Sequence, residues 1–181
     1  MEGGALIAQG AYGCVFDKPL ECKRKGKKDK TTKVAKLTED IDAEQEIKIA
    51  DALRKVPLSE HFFVIADPES CAIKDIPKQS EEDIDECRFL ERVDLQYARQ
   101  IYMPFGGKPM YQINIHPKVF NLYKFMIHML EGAGTLLMAG VCHYDIHPGN
   151  ILFDKSMTPR YIDFGMAFKG PTITKSIIDL R

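Results

Sequence analysis

The segment at residues 143–154, HYDIHPGNILFD, constrains the chain more than any other feature. Its first eight residues hold two histidines, an aspartate and an asparagine. A further acid, Asp163, follows Asn150 by thirteen positions, in the segment YIDFG. Three interpretations are open: a metal nest built on the histidines, a polar turn, or a catalytic loop that positions a phosphate donor and its metal ion.

The spacing of the polar residues separates these interpretations. His143, Asp145 and His147 alternate as on one face of a strand, but the Pro-Gly pair that follows suits a loop, and no other histidine or cysteine cluster completes a zinc shell. In a catalytic loop, Asp145 accepts or orients a hydroxyl proton, while Asn150 and Asp163 bind Mg²⁺. The order H-x-D-x-x-x-x-N followed by D-F-G favours the catalytic loop.

A glycine turn near the N-terminus, AQGAYGCV at residues 8–15, is close to the pattern G-x-G-x-x-G-x-V, with Ala8 in the first glycine position. β-Branched and aromatic residues flank Gly10 and Gly13, which predicts strand, turn and strand. A plain hairpin turn would explain the pattern by itself, whereas a dinucleotide fingerprint would need a following helix. Together with the loop at 143–150, the turn indicates a flap whose backbone N–H groups cover nucleotide phosphates.

Lys36, in the apolar segment VAKL, is costly to bury unless its amine has a partner. The following helix supplies Glu44 and Glu46, and Glu46 is the better candidate because it precedes a core-facing IKIA. Such a pair would aim the ammonium at phosphate oxygens. The alternative is an edge lysine whose amine reaches solvent.

The periodicity predicts a strand-rich first half with one helix, then a helical second half with a small hairpin. Strands are predicted within residues 4–16 and at 31–37, 61–67, 98–105, 151–153 and 160–163. The predicted helices are 38–56, with Thr38 and Asp40 as candidate caps, and 116–140. The second helix is apolar on nearly every face, so it is expected to be central.

With 181 residues and a net charge of −1, the chain can form one domain or two small lobes, and it has no charge excess that demands a nucleic acid or a membrane. The basic run at 22–33 is predicted to be a solvated loop, with an anion- or nucleic-acid-binding patch as the minor alternative. Five scattered cysteines without a CxxC pair predict a reducing compartment and no disulfide frame. No signal peptide or membrane span is expected.

These motifs together resemble the protein kinase superfamily, from about residue 4 to residue 180. The resemblance implies an α+β, protein-kinase-like two-lobed fold. Residues 1–105 would form an N-lobe with an antiparallel β-sheet and one helix, and residues 106–181 an incomplete, mainly helical C-lobe, with ATP held between them. The implied activity is that of an ATP- and Mg²⁺-dependent serine/threonine protein kinase, with a protein hydroxyl as acceptor.

The resemblance also assigns roles to individual positions. Catalytic roles fall to Asp145, Lys36 and Asn150, Mg²⁺ binding falls to Asn150 and Asp163, and His143 is a structural residue of the loop. Met103 stands at the gatekeeper position before an adenine hinge at 104–106. The positions implied to bind the nucleotide are Ala8, Gly10, Gly13, Val15, Lys36, Glu46, Met103, Phe105 and Asp163.

Three departures from the superfamily pattern stand out. Tyr144 replaces the usual arginine of His-Arg-Asp, so activation through a phosphorylated loop docked on that arginine is not expected. His147 replaces the lysine that usually contacts the γ-phosphate. Only sixteen residues separate Asp163 from Asp179, the expected anchor in the next helix, which is similar to the small atypical kinase of the KEOPS complex and to compact kinases of large DNA viruses. The C-lobe is therefore expected to be truncated.

Two alternatives stay open at this point. The segment HPGNIL is similar to aminoglycoside and choline phosphotransferases, which would make the acceptor a small molecule. The truncation leaves room for a nucleotide-binding pseudokinase or an inactive fragment, whose helices would expose apolar faces. The expected location is the cytoplasm, or the host cytoplasm or virion for a viral protein.

Overall fold

The computed structural model describes residues 4–23, 33–74, 84, 86–116 and 120–170. The chain divides into two compact units. The first comprises Met1–Ile47 and Ala66–Phe105, and the second comprises Lys48–Ile65 and Gly106–Arg181. The fold class is α+β, with an antiparallel sheet in the N-terminal region and few helices, as expected for a kinase-like two-lobed fold. The predicted fold class is therefore confirmed.

The first unit is built on a five-stranded antiparallel sheet in the order β1-β2-β3-β5-β4. Its strands are β1 (Leu6–Gly10), β2 (Gly13–Phe16), β3 (Lys33–Glu39), β4 (Ser70–Ala72) and β5 (Ala98–Pro104). The strand–turn–strand prediction over residues 4–16 is confirmed, and residues 6–16 are called the flap below. β3 begins at Lys33, inside the predicted range 31–37, and runs two residues beyond it, to Glu39, because it pairs with β5 as far as Ala98.

The core of this unit lies under the flap and the first three strands. Its members are all nearly inaccessible to solvent: Cys14, Phe16, Leu20, Leu37, Ile73, Ile84, Cys87, Phe89 and Ala98.

The helix α1 (Asp40–Leu53) follows β3, with Asp40 and Asp42 in its first turn, where acidic side chains suit the helix dipole. Thr38 is not a cap: it lies within β3, and its hydroxyl donates to the carbonyl of Tyr12 in the flap.

Two disulfides cross-link the first unit, contrary to the expectation of no disulfide frame. Cys14 pairs with Cys87 and Cys22 with Cys71, at sequence separations of 73 and 49 residues. The strand order decides this pairing, since a β-bridge between Cys22 and Ile73 brings Cys22 beside β4. Bridges that close loops of this length restrict the unfolded chain by about 4 kcal/mol each in the chain-entropy description. Disulfides persist in oxidising surroundings, so the cysteines give no support to a reducing compartment.

The second unit contains a short helix α2 (Ser59–Phe62) and a long helix α3 (Leu122–Ala139). The side chain of Asn121 caps α3 by accepting a hydrogen bond from the Lys124 amide, at 2.9 Å. Gly140 ends the helix in the left-handed conformation that favours glycine, with φ of 65°. The predicted start of this helix at 116 is too early, although residues 117–119 lie outside the described part.

Two expectations for this unit are wrong. Residues 61–67 do not form a strand, because the apolar run begins inside α2. Among the described residues, its backbone then pairs with the second unit at a β-bridge from Phe63 to Tyr161. Short apolar runs fit a helix turn and a strand equally well. Helix α3 is not central within the described residues, since only Gly132, Thr135 and Leu136 are buried along its length.

Small sheets complete the second unit. One joins β6 (Lys108–Pro109), β8 (Ile151–Phe153) and β9 (Pro159–Tyr161) in the order β6-β8-β9, and the other pairs β7 (Val141–Cys142) with β10 (Phe168–Lys169). The predicted hairpin is thus present as β8 and β9. Aromatic rings of Phe63, His143, Tyr161 and Phe164 pack together behind it.

Several expectations lie outside the described residues: most of the basic run at 22–33, the start of the acidic segment at 81–94, and Asp179 with its helix. None of the helices within the described ranges is long and apolar enough to cross a lipid bilayer.

Candidate active site

The flap forms because β1 and β2 pair in a tight register, with Ala8 opposite Val15 and Gly10 opposite Gly13. A side chain at position 13 could not be accommodated, since its Cβ would lie 2.1 Å from the carbonyl oxygen of Leu37. On the exposed side of the turn, a Cβ at Gly10 would meet nothing within 4 Å. Sequence reasoning therefore located the turn, and the structure shows which glycine the packing requires.

Lys36 and Glu46 form the buried ion pair that the sequence predicted. The Lys36 ammonium donates to Glu46 Oε2 at 2.7 Å, and the two residues are only 7% and 3% exposed. β3 supplies the lysine and the second turn of α1 supplies the glutamate. Glu44, the other candidate, is exposed. A buried pair of this kind fixes the direction of the ammonium, which could then meet an anion.

The remaining nucleotide candidates of the first unit lie at the end of β5. Met103 is buried and pairs in register with Val34 of β3. Phe105, which ends the first unit, is 59% exposed. Phe105 thus presents an exposed aromatic ring directly after β5, and the resemblance implies that it and Met103 bind the nucleotide.

In the second unit, the loop at residues 143–150 folds on itself through Asn150. The Asn150 amide nitrogen donates to the backbone carbonyl of Asp145 at 3.0 Å and to its carboxylate Oδ2 at 2.9 Å. Asn150 is 7% exposed, whereas the Asp145 side chain is 39% exposed. The buried amide therefore orients a carboxylate whose other side faces solvent, as a group that meets a substrate must.

His147 has a role that sequence reasoning missed. Its Nδ1 accepts a hydrogen bond from the Gly149 amide at 3.0 Å, which caps the 3₁₀ turn Pro148–Asn150. Its Nε2 lies 3.7 Å from Asp145 Oδ2. The imidazole thus supports both ends of the turn that carries Asp145 and Asn150. No spacing rule in the sequence would have revealed this cap.

Asp163 is positioned through the residue that precedes it. The Ile162 amide donates to the Asn150 carbonyl at 3.0 Å, and the Ile162 carbonyl bonds to His143 Nε2 at 2.9 Å. Asp163 itself adopts φ of 61°, a conformation uncommon for residues other than glycine. The two hydrogen bonds to Ile162 hold the backbone before Asp163 beside Asn150 and His143. They therefore connect the loop at residues 143–150 to the Asp-Phe-Gly segment.

His143 is the scaffold of that arrangement. It is 2% exposed, and burial lowers its pKa below the ordinary value of 6.5, against the hydrogen bond to Ile162 and the negative charges of Asp163 and Asp145. A neutral ring donates through Nε2 to the Ile162 carbonyl. Its Nδ1 is buried without a hydrogen-bond partner in the described structure, which is consistent with an unprotonated nitrogen there.

The donor atoms of the second unit suit a magnesium ion better than a softer metal. Asn150 commits its amide nitrogen to Asp145, which leaves its carbonyl oxygen as a donor, and Asp163 adds a carboxylate. Mg²⁺ prefers oxygen ligands of this type and keeps several of its waters. Within the ranges that the structure describes, no group of three or more His, Cys, Asp or Glu side chains could hold a metal ion. The interpretation of residues 143–147 as a metal site built on histidines is therefore not supported.

The predicted site residues thus fall into two groups, one in each unit. Lys36 and Glu46 meet beside the flap in the first unit, and Asp145, Asn150 and the backbone before Asp163 meet in the second. Thr38, His147 and Ile162 are the supporting residues that the sequence did not reveal. Each of them acts through hydrogen bonds that involve the backbone, and such bonds leave no pattern in the sequence.

The model of the phosphotransferase enzyme family matches residues 125–174 of the chain. The matched segment contains most of α3, the 143–150 loop and Asp163, and it excludes the flap and Lys36. No curated protein matches the chain. Over this segment the chain is therefore similar to the phosphotransferase enzymes, a similarity that supports phosphate transfer without distinguishing a protein acceptor from a small molecule.

Proposed function

We propose that the chain is an ATP- and Mg²⁺-dependent phosphotransferase whose acceptor is a serine or threonine hydroxyl of a protein. The observation that carries the proposal is the arrangement around Asn150. This residue bonds the Asp145 carboxylate through its side chain and the backbone before Asp163 through its carbonyl. One buried residue therefore organises the candidate base and the candidate metal ligand at once.

The proposed chemistry assigns a task to each group. Bound Mg²⁺ would neutralise charge on the transferred phosphate, with Asn150 and Asp163 as its protein ligands. The Lys36 ammonium, fixed by Glu46, would bind phosphate oxygens, and the backbone N–H groups of the flap would cover them. Asp145 would accept a hydrogen bond from the acceptor hydroxyl and orient its oxygen towards the phosphorus.

Two features support a protein acceptor. Tyr12 gives the flap an exposed aromatic tip, with 54% of its surface accessible, as protein-kinase-like flaps have. The segment MPFGG that follows β5 resembles a protein-kinase hinge. The cofactors ATP and Mg²⁺, and the serine/threonine specificity, are parts of this proposal.

A second candidate is a small-molecule phosphotransferase, with which the match of residues 125–174 is equally compatible. The segment HPGN at residues 147–150 lies inside that match and contains the His147 cap. An acceptor such as an aminoglycoside or an amino alcohol would use the same Asp145 and Mg²⁺ ligands. The two candidates differ only in the acceptor, so a transfer assay separates them.

The test is transfer of the labelled γ-phosphate from ATP to a mixed protein substrate and, in parallel, to a metabolite panel. Transfer to serine or threonine in the wild type, and its loss in Lys36→Met and Asp163→Asn, would support the proposal. Matched controls are Lys74→Met, which removes a half-exposed ion pair with Glu21, and Asp51→Asn, which removes an exposed one with Arg54. Both controls should keep wild-type transfer.

Three results would count against the proposal in different ways. Full activity in Lys36→Met or Asp163→Asn would remove the assigned roles. Consumption of ATP with labelled metabolites and unlabelled protein would favour the second candidate. Thermal stabilisation by nucleotide without any turnover would indicate a pseudokinase.

The proposed location is the cytoplasm or, for a viral protein, the virion. The two bridges suit the virion better, because oxidising surroundings retain disulfides. Alkylation of thiols at the moment of extraction measures this directly. Five reactive thiols would indicate a reducing compartment, and one thiol, at Cys142, would indicate an oxidising one.

A further inference from the structure

A segment between β4 and β5 folds back over the flap. This segment, the clasp (residues 84 and 86–92), contains the 3₁₀ helix Arg88–Glu91. Ile84, Cys87 and Phe89 of the clasp are 1%, 1% and 3% exposed, in the same core cluster as Cys14 and Phe16 of β2. The clasp therefore covers the inner face of the flap and excludes solvent from it.

Three attachments join the clasp to the flap. The disulfide between Cys14 and Cys87 is covalent and places its first sulfur directly after Gly13 of the turn. The Arg92 guanidinium donates to the Ala11 carbonyl at 2.7 Å, and the Arg88 amide donates to the Gln9 side chain at 3.2 Å. Both hydrogen bonds are exposed to solvent, where water competes for the same groups, so the bridge is the strongest of the three.

The flap has little else to hold its outer strand. β1 is an edge strand, and four of its five residues are exposed. On the inner side, Thr38 holds the Tyr12 carbonyl at 2.7 Å. Within this sheet, as far as the structure describes it, β1 pairs with β2 alone, so the position of the turn depends on the attachments to the clasp as well as on that pairing.

We infer that the Cys14–Cys87 bridge is a redox modification site that sets the order of the flap. A dithiol reductant transfers two electrons and two protons to the bridge: one reductant thiolate attacks a bridge sulfur, the second resolves the mixed disulfide, and Cys14 and Cys87 leave as thiols while the reductant becomes a cyclic disulfide. The freed clasp then retains only its core packing and two exposed hydrogen bonds. The effect on nucleotide binding rests on the proposed function, because it requires that the flap covers phosphates.

The second bridge provides an internal control. Cys22 and Cys71 lie at the other end of the sheet, beside β4, and make no attachment to the flap. Both residues are half-buried, whereas Cys14 and Cys87 are 0% and 1% exposed. A reductant therefore reaches the Cys22–Cys71 bridge first and opens the Cys14–Cys87 bridge only when the clasp moves away.

The experiment compares amide hydrogen exchange over residues 6–16 in the 181-residue chain without nucleotide. The samples are the oxidised wild type, the Cys14→Ala/Cys87→Ala variant and the Cys22→Ala/Cys71→Ala variant. Loss of the first bridge should speed exchange in the flap by about tenfold or more, and loss of the second should leave it unchanged. If the first variant does not fold, stepwise reduction of the wild type, with alkylation mapped by peptide, gives the same comparison.

Binding of Mg²⁺·ATP to the same samples separates this inference from the proposed function. Weaker binding after loss of the Cys14–Cys87 bridge alone supports both. A flap that is protected only when the bridge is intact, in a chain that binds no nucleotide, supports the inference and contradicts the proposed function. Equal flap exchange in all three proteins, or alkylation of Cys14 and Cys87 in the denatured but unreduced wild type, overturns the inference.

Discussion

Asn150 bonds the carboxylate of Asp145 and His147 caps the turn that leads to Asn150, and the two side chains differ in how readily the sequence reveals them. Asn150 stands five positions after Asp145, a spacing that indicates a catalytic loop when it is combined with the Asp-Phe-Gly segment that begins at Asp163. His147 acts through the Gly149 amide, a contact that depends on the conformation of the turn. Candidate site residues could thus be proposed from spacing, whereas the His147 cap could not.

The His147 cap leads to a prediction about rate. His147→Ala removes the acceptor for the Gly149 amide and should lower kcat about fivefold, the equivalent of one capping hydrogen bond of about 1 kcal/mol. His147→Asn keeps a side-chain acceptor and should retain most of the activity. The measurement is kcat for phosphate transfer at saturating ATP, and equal values for the two variants would exclude a positioning role.

Burial of His143 leads to a prediction about pH. Because its folded pKa lies below the ordinary 6.5, the unfolded chain binds a proton more readily than the folded chain as the pH falls through that value. His128, whose pKa is also lowered by burial, acts in the same direction. The free energy of unfolding should therefore decrease from pH 7 to pH 5, by at most about 1.4 kcal/mol per pH unit for each histidine.

The variant His143→Gln isolates one of these groups. Glutamine keeps an N–H near the position of Nε2 for the Ile162 carbonyl but does not titrate. Urea unfolding at pH 7, 6 and 5 should give a shallower slope for this variant than for the wild type, whatever its stability at pH 7. An unchanged slope would mean that the folded and unfolded chains protonate His143 equally, which would contradict a lowered pKa.

At the scale of elements, helix α3 shows what an apolar pattern leaves undecided. The helix could be predicted from its apolar sequence, although its start at Leu122, after the Asn121 cap, was not. The burial of this helix could not be predicted, because an apolar sequence predicts a helix whether or not other elements cover it. Leu130 and Met138 are each 65% exposed, so a large apolar surface of this helix faces solvent in the described structure.

Two glycines of α3 give a matched test of its packing. A Cβ at Gly132 would lie 2.8 Å from the ring of Tyr161, whose hydroxyl is fixed by a bond to the Met129 carbonyl. A Cβ at Gly134 would meet nothing within 4 Å. Gly132→Ala should therefore destabilise the protein by about 1–3 kcal/mol through overpacking, while Gly134→Ala should stabilise it by about 0.5–1 kcal/mol through helix propensity.

Equilibrium unfolding monitored by circular dichroism measures both changes. The opposite signs are the informative result, since the two substitutions are chemically identical and two positions apart. A stabilising Gly132→Ala would contradict the packing of α3 against β9.

At the scale of the whole molecule, helices α1 and α3 and the longer strands could be predicted because alternation and turns are local, whereas α2 and the short strands β4, β6, β7 and β10 could not. The Cys14–Cys87 and Cys22–Cys71 bridges could not, since their partners are 73 and 49 residues apart and meet only in the folded sheet. The strand expected at 61–67 failed for a related reason: its apolar run is divided between α2 and a single bridge to Tyr161. These misses depend on contacts between distant residues, whereas the His147 cap was missed because it depends on the local conformation of the turn.

The central claim, phosphate transfer from ATP directed by Asp145, is tested most directly by Asp145→Asn. Asparagine keeps the size of the side chain and its bond to Asn150 but cannot accept a proton, so the variant should bind Mg²⁺·ATP with the wild-type Kd and lose about 10²–10⁴-fold in the rate of transfer. Single-turnover transfer and calorimetric binding on the same preparations give both numbers. Wild-type transfer by Asp145→Asn, or a wild type that binds Mg²⁺·ATP and transfers phosphate to no hydroxyl, would contradict the claim.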